Sequence, residues 1–402
     1  MAVTHGTRLR LVAVLSAAAT AATLALTVNP AQAAPAEGRI IGAEAPNAVK
    51  DSYIVVLSER SGAKSSSSEG RRLMAGYGGE ITHTYRAALN GYAAQLSETE
   101  AKRLAADPAV AQVIQDTTVK ATGTQVNPPS WGLDRIDQAN LPLNGSYTYP
   151  DSAGSGVTAY VIDTGVRITH VDFGGRASHG YDAIDNDMIA DDGNGHGTHV
   201  AGTVAGTSYG VAKKARIVGV RVLNNAGSGT TAQVVAGVDW VTANAVKPAV
   251  ANMSLGGGAN SAIDTAVRNS IASGITYAVA AGNNGLPASN YSPARVSEAI
   301  TVGATTSTDA RASYSNTGTL VDLFAPGSAI TSAWRTSDTA SSSISGTSMA
   351  SPHVAGAAAI YLGNHTTSSP SQVASALVAA ATPGVVTNPG TGTPNRLLRV
   401  IP

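Results

Sequence analysis

The chain has 402 residues, more than one ordinary domain needs, and its 26 Lys plus Arg balance its 26 Asp plus Glu. A main domain with an added module is therefore expected, and the clustered cationic surface of a nucleic-acid binder is excluded. Apolar residues make up 43 %, charged 13 % and aromatic 4 %, with 43 Gly and no Cys, which suits a close-packed core of small side chains and rules out disulfides, thiolate metal sites and a cysteine nucleophile.

Arg8 and Arg10 precede the apolar run Leu11 to Val28, and Ala31-Gln32-Ala33 follows. Charge, apolar stretch and small-residue cleavage site are the parts of a secretory signal. A membrane anchor is the rival reading, but the alanines, serine and threonines of the run make it weakly hydrophobic. Residues 1–33 are thus expected to be removed on export, leaving a protein outside the membrane.

Residues 34–120 read as a small module whose folded part begins at about Asp51. Tyr53 to Leu57 predicts a strand, and Ser65 to Tyr77 a helix broken by Gly78-Gly79. Ile81 to Tyr85 and Gly91 to Leu96 predict two strands joined by the Asn90-Gly91 turn. Ser97-Glu98-Thr99-Glu100 is a capping box opening a helix that ends near Asp107-Pro108, and Val110 to Asp116 closes with a strand. The order is that of a split βαβ, or ferredoxin-like, α+β unit. It carries no chemistry of its own.

Residues 121–130, with Pro128-Pro129, read as a linker. Beyond Trp131, near-continuous apolar strands are predicted at Gly156 to Asp163, Ala215 to Val222, Ala249 to Leu255, Ile275 to Ala281 and Ala299 to Ala304. Helical patterns fall at Thr198 to Ala205, Thr230 to Ala245, Ala262 to Ser273 and after Ser348. Strands apolar on both faces, alternating with helices, predict an α/β domain over 121–402 with a parallel sheet covered on both sides. Its site then belongs at the carboxyl ends of the strands.

Three segments carry the chemistry. Val161-Ile162-Asp163-Thr164-Gly165 sets an acid at a strand end, Gly195-His196-Gly197-Thr198-His199 a histidine at a helix start, and Gly346-Thr347-Ser348-Met349-Ala350-Ser351-Pro352 a serine at the mouth of another helix. Pro352 is expected in the first turn, where its missing N–H has no partner to lose.

At these segments the chain resembles the subtilisin-like serine protease family, most closely its proteinase K branch, from about Trp131 onward, and the module from about Asp51 to Lys120 resembles that family's inhibitory propeptide. The chain order Asp, His, Ser is subtilisin's own. The resemblance implies Ser348 as nucleophile, His196 as general base and Asp163 orienting the imidazole. It makes Asn283 an oxyanion-hole donor beside the Ser348 backbone N–H. Gly227-Ser228-Gly229 and Ser254-Leu255-Gly256-Gly257, with Ala281 and Gly282, are implied to hold an extended peptide. The implied enzyme is a secreted endopeptidase of broad specificity favouring apolar or aromatic residues before the cleaved bond. It acts on protein and peptide substrates as a monomer without an organic cofactor, and its propeptide inhibits it until self-cleavage between about Thr118 and Gln125.

Calcium is also implied. Asp134, Asp137 and Gln138 share one face if their turn is helical and resemble a calcium-binding N-terminal segment; a solvated acidic turn is the alternative. Asp322, with backbone carbonyls at Ser297 and Ala299, matches a second family site. Asp182, Asp185, Asp187, Asp191 and Asp192 lack the spacing of an EF-hand and read as a solvated loop. The proteinase K cysteines are missing, with Val200 standing where one would be.

Rival readings are weaker. Asp163-Thr164-Gly165 spells an aspartic-protease motif, but that chemistry needs a second such segment. Gly206-Thr207-Ser208-Tyr209-Gly210 fits a nucleophile elbow in sequence, yet a helix precedes it and a strand follows. His196 and His199 lack the intervening Glu of a zinc peptidase, so His199 and His353 are expected to be packing residues. A catalytically dead peptide-binding relative and an esterase on the same fold remain as alternatives. Labelling by a fluorophosphonate, and casein set against a long-chain ester, separate them.

Overall fold

The computed structural model describes residues 35–45, 48–118 and 122–400. The expected signal, and residues 119–121 of the expected self-cleavage window, lie outside the described residues. Two compact units form, dividing between Val119 and Lys120.

The first unit runs β1 (Ile40–Ile41), β2 (Ala48–Leu57), α1 (Ser68–Gly76), β3 (Glu80–Tyr85), β4 (Gly91–Gln95), α2 (Glu98–Ala105) and β5 (Val110–Thr117). Its sheet has the order β1-β5-β2-β4-β3. Apart from β1, this is the ferredoxin-like arrangement expected. Tyr53, Val55 and Leu57 are buried while Ile54 and Val56 between them are half-buried, the period-two pattern of a sheet with helices on one face. The Ser97 hydroxyl accepts from the Glu100 N–H, and the Glu100 carboxylate accepts in return from the Ser97 N–H. α1 starts three residues later than expected. Ser65 is held in the preceding loop, its N–H donating to Asn90 Oδ1 and its hydroxyl to the Tyr85 carbonyl, and Ser67 caps the helix instead.

The second unit opens with β6 (Thr122–Val126), α3 (Trp131–Ile136), β7 (Ser146–Pro150), β8 (Thr158–Asp163) and β9 (Ala177–Asp182). There follow α4 (His196–Ala205), β10 (Arg216–Arg221), α5 (Thr231–Asn244), β11 (Ala249–Met253), β12 (Gly257–Gly258) and α6 (Ser261–Ala272). Next come β13 (Thr276–Ala280), β14 (Tyr291–Ser292), β15 (Ile300–Thr305), β16 (Leu323–Pro326), β17 (Ile330–Ala333) and β18 (Ser341–Ile344). The unit closes with α7 (Thr347–Asn364), α8 (Pro370–Ala380), β19 (Thr382–Pro383) and β20 (Arg396–Leu397). The expected linker is partly a strand, since β6 pairs antiparallel with β7 from Thr122 opposite Pro150 to Val126 opposite Ser146.

The main sheet has the order β19-β20-β16-β15-β13-β11-β8-β10-β9, and every neighbouring pair is parallel except β19 with β20. Strands buried on both faces explain the unbroken apolar runs. Along β8, Ala159 and Val161 join a core with Val200, Val204 and Val354 from α4 and α7. Tyr160 and Ile162 join the opposite core with Val238 and Val267 from α5 and α6. The chain leaves β8 toward β10 on one side and returns to β11 on the other, so the strand order reverses around β8. A crevice opens at the carboxyl end of such a reversal, and Asp163 is the residue there.

Candidate active site

Asp163 is fully buried, and its Oδ1 accepts from His196 Nδ1 at 2.7 Å and from the Thr164 N–H at 2.7 Å. Its Oδ2 is buried without a partner. Gly195 precedes His196 at a φ of +115°, a left-handed conformation against the Trp334 ring that a side chain would not tolerate. Gly197 follows with its Cα facing the Gly165 carbonyl, where a Cβ would collide. Together the two glycines let α4 start close against the end of β8. Burial disfavours the His196 imidazolium, but the charge and hydrogen bond of Asp163, and the charge of Asp192, outweigh it and hold the pKa above the ordinary histidine value.

Ser348 is the second residue of α7, where a helix leaves its N–H groups without internal acceptors. Pro352 sits deeper than expected, inside the helix rather than in its first turn. Lacking an N–H, it cannot donate to the Ser348 carbonyl four residues back. The Ser254 hydroxyl takes that place, donating to Ser348 O at 2.7 Å. Asn252 Nδ2 donates to Ser254 Oγ at 2.8 Å, and Ser351 Oγ donates to Asn252 Oδ1 at 2.7 Å. The Ser348 hydroxyl itself donates to the Ser254 carbonyl at 3.1 Å, so in this rotamer it does not donate to His196.

Asn283 follows the β13 strand. Its Oδ1 accepts from both the N–H (2.8 Å) and the hydroxyl (2.9 Å) of Thr347. With the oxygen so engaged, Nδ2 is turned toward Gly346, two residues before Ser348. Thr347 has no motif meaning by itself and was invisible as an orienting residue in the sequence.

Two clefts meet along the Leu255–Gly258 segment. One, of about 550 Å³, is lined by His196, Gly227, Ser228, Gly229, Ser254, Leu255, Gly256 and Gly257. The other, of about 320 Å³, is lined by Ser348, Asn283, Ala281, Gly282 and the shared Leu255–Gly257, with Tyr291 and Ala294. Every substrate-contact residue expected from the sequence therefore faces one cleft or the other, and neither lining includes a carboxylate, Lys or Arg.

His199 and His353 are packing residues in the core. His199 Nε2 bonds the Ile330 carbonyl and His353 Nδ1 bonds the Met349 carbonyl, each leaving its other nitrogen unpaired. Burial pushes both down to a pKa of about 4. Among the described residues no group of three or more His, Asp or Glu side chains is placed to hold a metal ion.

Asp134 lies in α3 and accepts from the Asn144 and Gly145 N–H groups at 3.1 and 2.8 Å. Asp137 caps that helix, its Oδ2 accepting from the Thr148 N–H at 2.6 Å. Asp137 Oδ1 and Gln138 Oε1 are both buried without a partner. Burial, with Asp134 nearby, raises the Asp137 pKa. Asp322 joins the start of β15, accepting from the Thr301 N–H at 2.8 Å and donating its own N–H to Thr301 O. Burial lifts it to a pKa of about 6. Ser297 and Ala299 precede β15, where the Ala299 N–H donates to the Val296 carbonyl.

The solvated-loop reading of the acidic run fails at two of its five members. Asp185, Asp187 and Asp191 are exposed, but Asp182 and Asp192 are buried. Asp182 pairs with Arg221 Nη1 at 2.6 Å, and Asp192 binds the start of α4.

Comparison with known proteins matches residues 154–398 to the subtilase family and residues 52–122 to the peptidase inhibitor I9 family. An extracellular serine proteinase of Thermus sp. (strain Rt41A) is 52 % identical over 392 residues, covering 93 % of this chain and 95 % of that protein. Alkaline serine exoprotease A of Vibrio alginolyticus is 51 % identical over 365 residues, covering 87 % of this chain and 67 % of the exoprotease. A crystal structure of a cold-adapted subtilisin-like serine proteinase aligns with a TM-score of 0.66 at 56 % identity, over 68 % of this chain and 98 % of its own. The reversal around β8, the acid and imidazole at its mouth and the serine at the head of α7 thus sit in a chain that belongs to the subtilase family, a serine endopeptidase preceded by an I9-type inhibitor domain.

Proposed function

We propose that Ser348, His196, Asp163 and Asn283 perform acyl transfer on peptide bonds. The observation that carries this reading is the 2.7 Å pair between the buried Asp163 and His196 Nδ1, which leaves Nε2 as the proton acceptor. Ser348 Oγ turns from the Ser254 carbonyl toward Nε2, gives up its proton and attacks the scissile carbonyl. Such catalytic hydrogen bonds are often made only with substrate present. Asn283 Nδ2 and the Ser348 N–H meet the developing oxyanion, and Asp163 stabilises the imidazolium. The imidazolium then protonates the leaving amine, and water releases the acyl group by the same steps.

The Gly227–Gly229 and Ser254–Gly257 segments hold substrate backbone on either side, since glycines allow close approach. The uncharged cleft of about 320 Å³ beside Ser348 suits a large apolar or aromatic side chain before the cleaved bond. Specificity is then broad.

We assign residues 1–33 to a signal, 34–120 to an inhibitory propeptide and 121–402 to the catalytic domain, with self-cleavage in the Thr118 to Gln125 window. We propose that the protein is a monomer, and its secretion accords with the extracellular Thermus relative. Among the described residues no helix is long and apolar enough to cross a membrane. Calcium fits at Asp137 and Gln138, whose unpaired buried oxygens need a cation or water, with Asp134 adding charge; oxygen donors of this kind suit calcium. Bound there, the ion would neutralise clustered carboxylates and tie α3 down. Asp322 is the second candidate, with carbonyls of Ser297 and Ala299.

Replacing the nucleophile tests the whole reading. Ser348→Ala is expected to leave the precursor uncut, while the wild-type chain matures, hydrolyses casein and takes a fluorophosphonate on Ser348. Normal maturation of the variant, or an unlabelled wild-type serine, would overturn it.

A further inference from the structure

We infer that Asp192 is a positioning residue for the reaction, its buried carboxylate fastening the strand end that carries Asp163 to the helix start that carries His196. The inference rests on the triad reading above and concerns a residue outside it.

Asp192 is 5 % exposed and accepts five hydrogen bonds. Its Oδ1 receives the Thr164 hydroxyl at 2.9 Å and the N–H groups of Asn194 and Gly195 at 2.9 and 2.8 Å. Its Oδ2 receives the N–H and hydroxyl of Thr198 at 2.9 and 2.6 Å. Thr164 follows Asp163 directly, and its hydroxyl oxygen accepts in turn from the Gly197 N–H at 2.9 Å. The residue after the acid and the residues on either side of the histidine are therefore held through one carboxylate. α4 has Gly195 at its N-cap, which offers no side chain to cap with; Asp192 supplies that capping from upstream.

Only a carboxylate can do this. All five partners donate, and an ionised carboxyl group is the side chain that only accepts, on two oxygens. An asparagine would keep one oxygen but turn its NH₂ toward donors, leaving buried N–H or O–H groups unpaired at the hinge of the site. The same charge favours the imidazolium formed during attack. The titratable groups around the His196 ring are Asp163 in direct contact, Asp192, and the neutral His199 one turn further along α4.

The test uses the full-length chain, with rates normalised to serine labelled by fluorophosphonate so that misfolded protein is not counted. Asp192→Asn is expected to lower kcat about 10- to 100-fold, the scale of a small misplacement at an active site, with KM within about twofold. It should also move the acid limb of the kcat/KM profile downward by about half a pH unit or more, because a negative charge that favoured protonated His196 is gone. A purely structural role would lower the labelled fraction and leave that limb where it was. Thr164→Val removes the bridging hydroxyl and keeps the charge, so kcat should fall while the acid limb stays; this variant decides the matter if Asp192→Asn yields no labelled enzyme. Wild-type kcat and an unmoved limb in Asp192→Asn, or wild-type kcat in Thr164→Val, overturn the inference with the triad intact. Failure of the wild-type serine to label would instead remove the triad reading itself.

Discussion

The two units differ in how they treat buried polar atoms. Among the described residues before Thr118, no buried side-chain nitrogen or oxygen lacks a partner; every such orphan lies at Ser130 or beyond. An unpaired buried polar group costs about 1–3 kcal/mol, so a unit that carries no reaction chemistry of its own should have few. The subtilase unit has them on Asp163, next to His196, and on Asp137 and Gln138, proposed above to hold calcium. Those on Ser152, Thr158, Thr305 and Thr382 have no use that the structure explains. Most of the unmet hydrogen bonds lie away from the candidate sites, on residues such as His179, Asp264, Arg335 and Arg399, so an orphan marks a site here only where a second observation joins it.

The contrast can be broken at three points of decreasing size. Asn283→Ala removes the donor held in place by Thr347 and should lower kcat about 10²- to 10³-fold with little change in KM, the loss seen for the matching donor of subtilisin. A loss of only a few-fold, measured by steady-state kinetics on a peptide anilide, would mean that the rim is not arranged around an oxyanion. Calcium is the next point. In the uncut Ser348→Ala precursor, chelation should lower the Tm of the catalytic unit by about 3–4 °C, as expected for about 2 kcal/mol in a domain of this size. Asp137→Asn should shrink that calcium-dependent difference. An unchanged difference in calorimetry would take the ion away from α3.

The smallest effect belongs to the inhibitor-type unit. Ser97→Ala breaks the capping box of α2 and should cost about 1 kcal/mol. In the same uncut precursor, amide hydrogen exchange in α2 should then quicken about fivefold while α7 is unaffected. An equal change in α7 would show that the two units do not keep their energetics apart.

Much of this was legible beforehand because burial on both faces writes itself into composition. β8, β10, β11, β13 and β15 each fall within two residues of the apolar runs that forecast them, and the three motif segments meet where the strand order reverses. What escaped was structure held by pairing instead of by apolar content. β6 reads Thr-Gly-Thr-Gln-Val and has mostly exposed or half-buried residues; it is a strand because β7 accepts it, and Pro128-Pro129 alone suggested a linker. The two-residue β1 offers too few positions for any period. Asp192 was hidden for a different reason. Among five acidic residues in eleven positions, nothing local tells which carboxylate turns inward to meet the donors at a helix start.

Pro352 has a wider consequence than a lost helical bond. By withholding one amide it frees the Ser348 carbonyl oxygen, and the hydroxyl of Ser254, just past the end of β11, settles there. The segment proposed to hold the peptide and the proposed nucleophile thereby share a fastening that an uninterrupted helix would have kept for itself. If the proposed roles hold, the position of the holding segment relative to Ser348 is set by this one hydrogen bond before any substrate arrives.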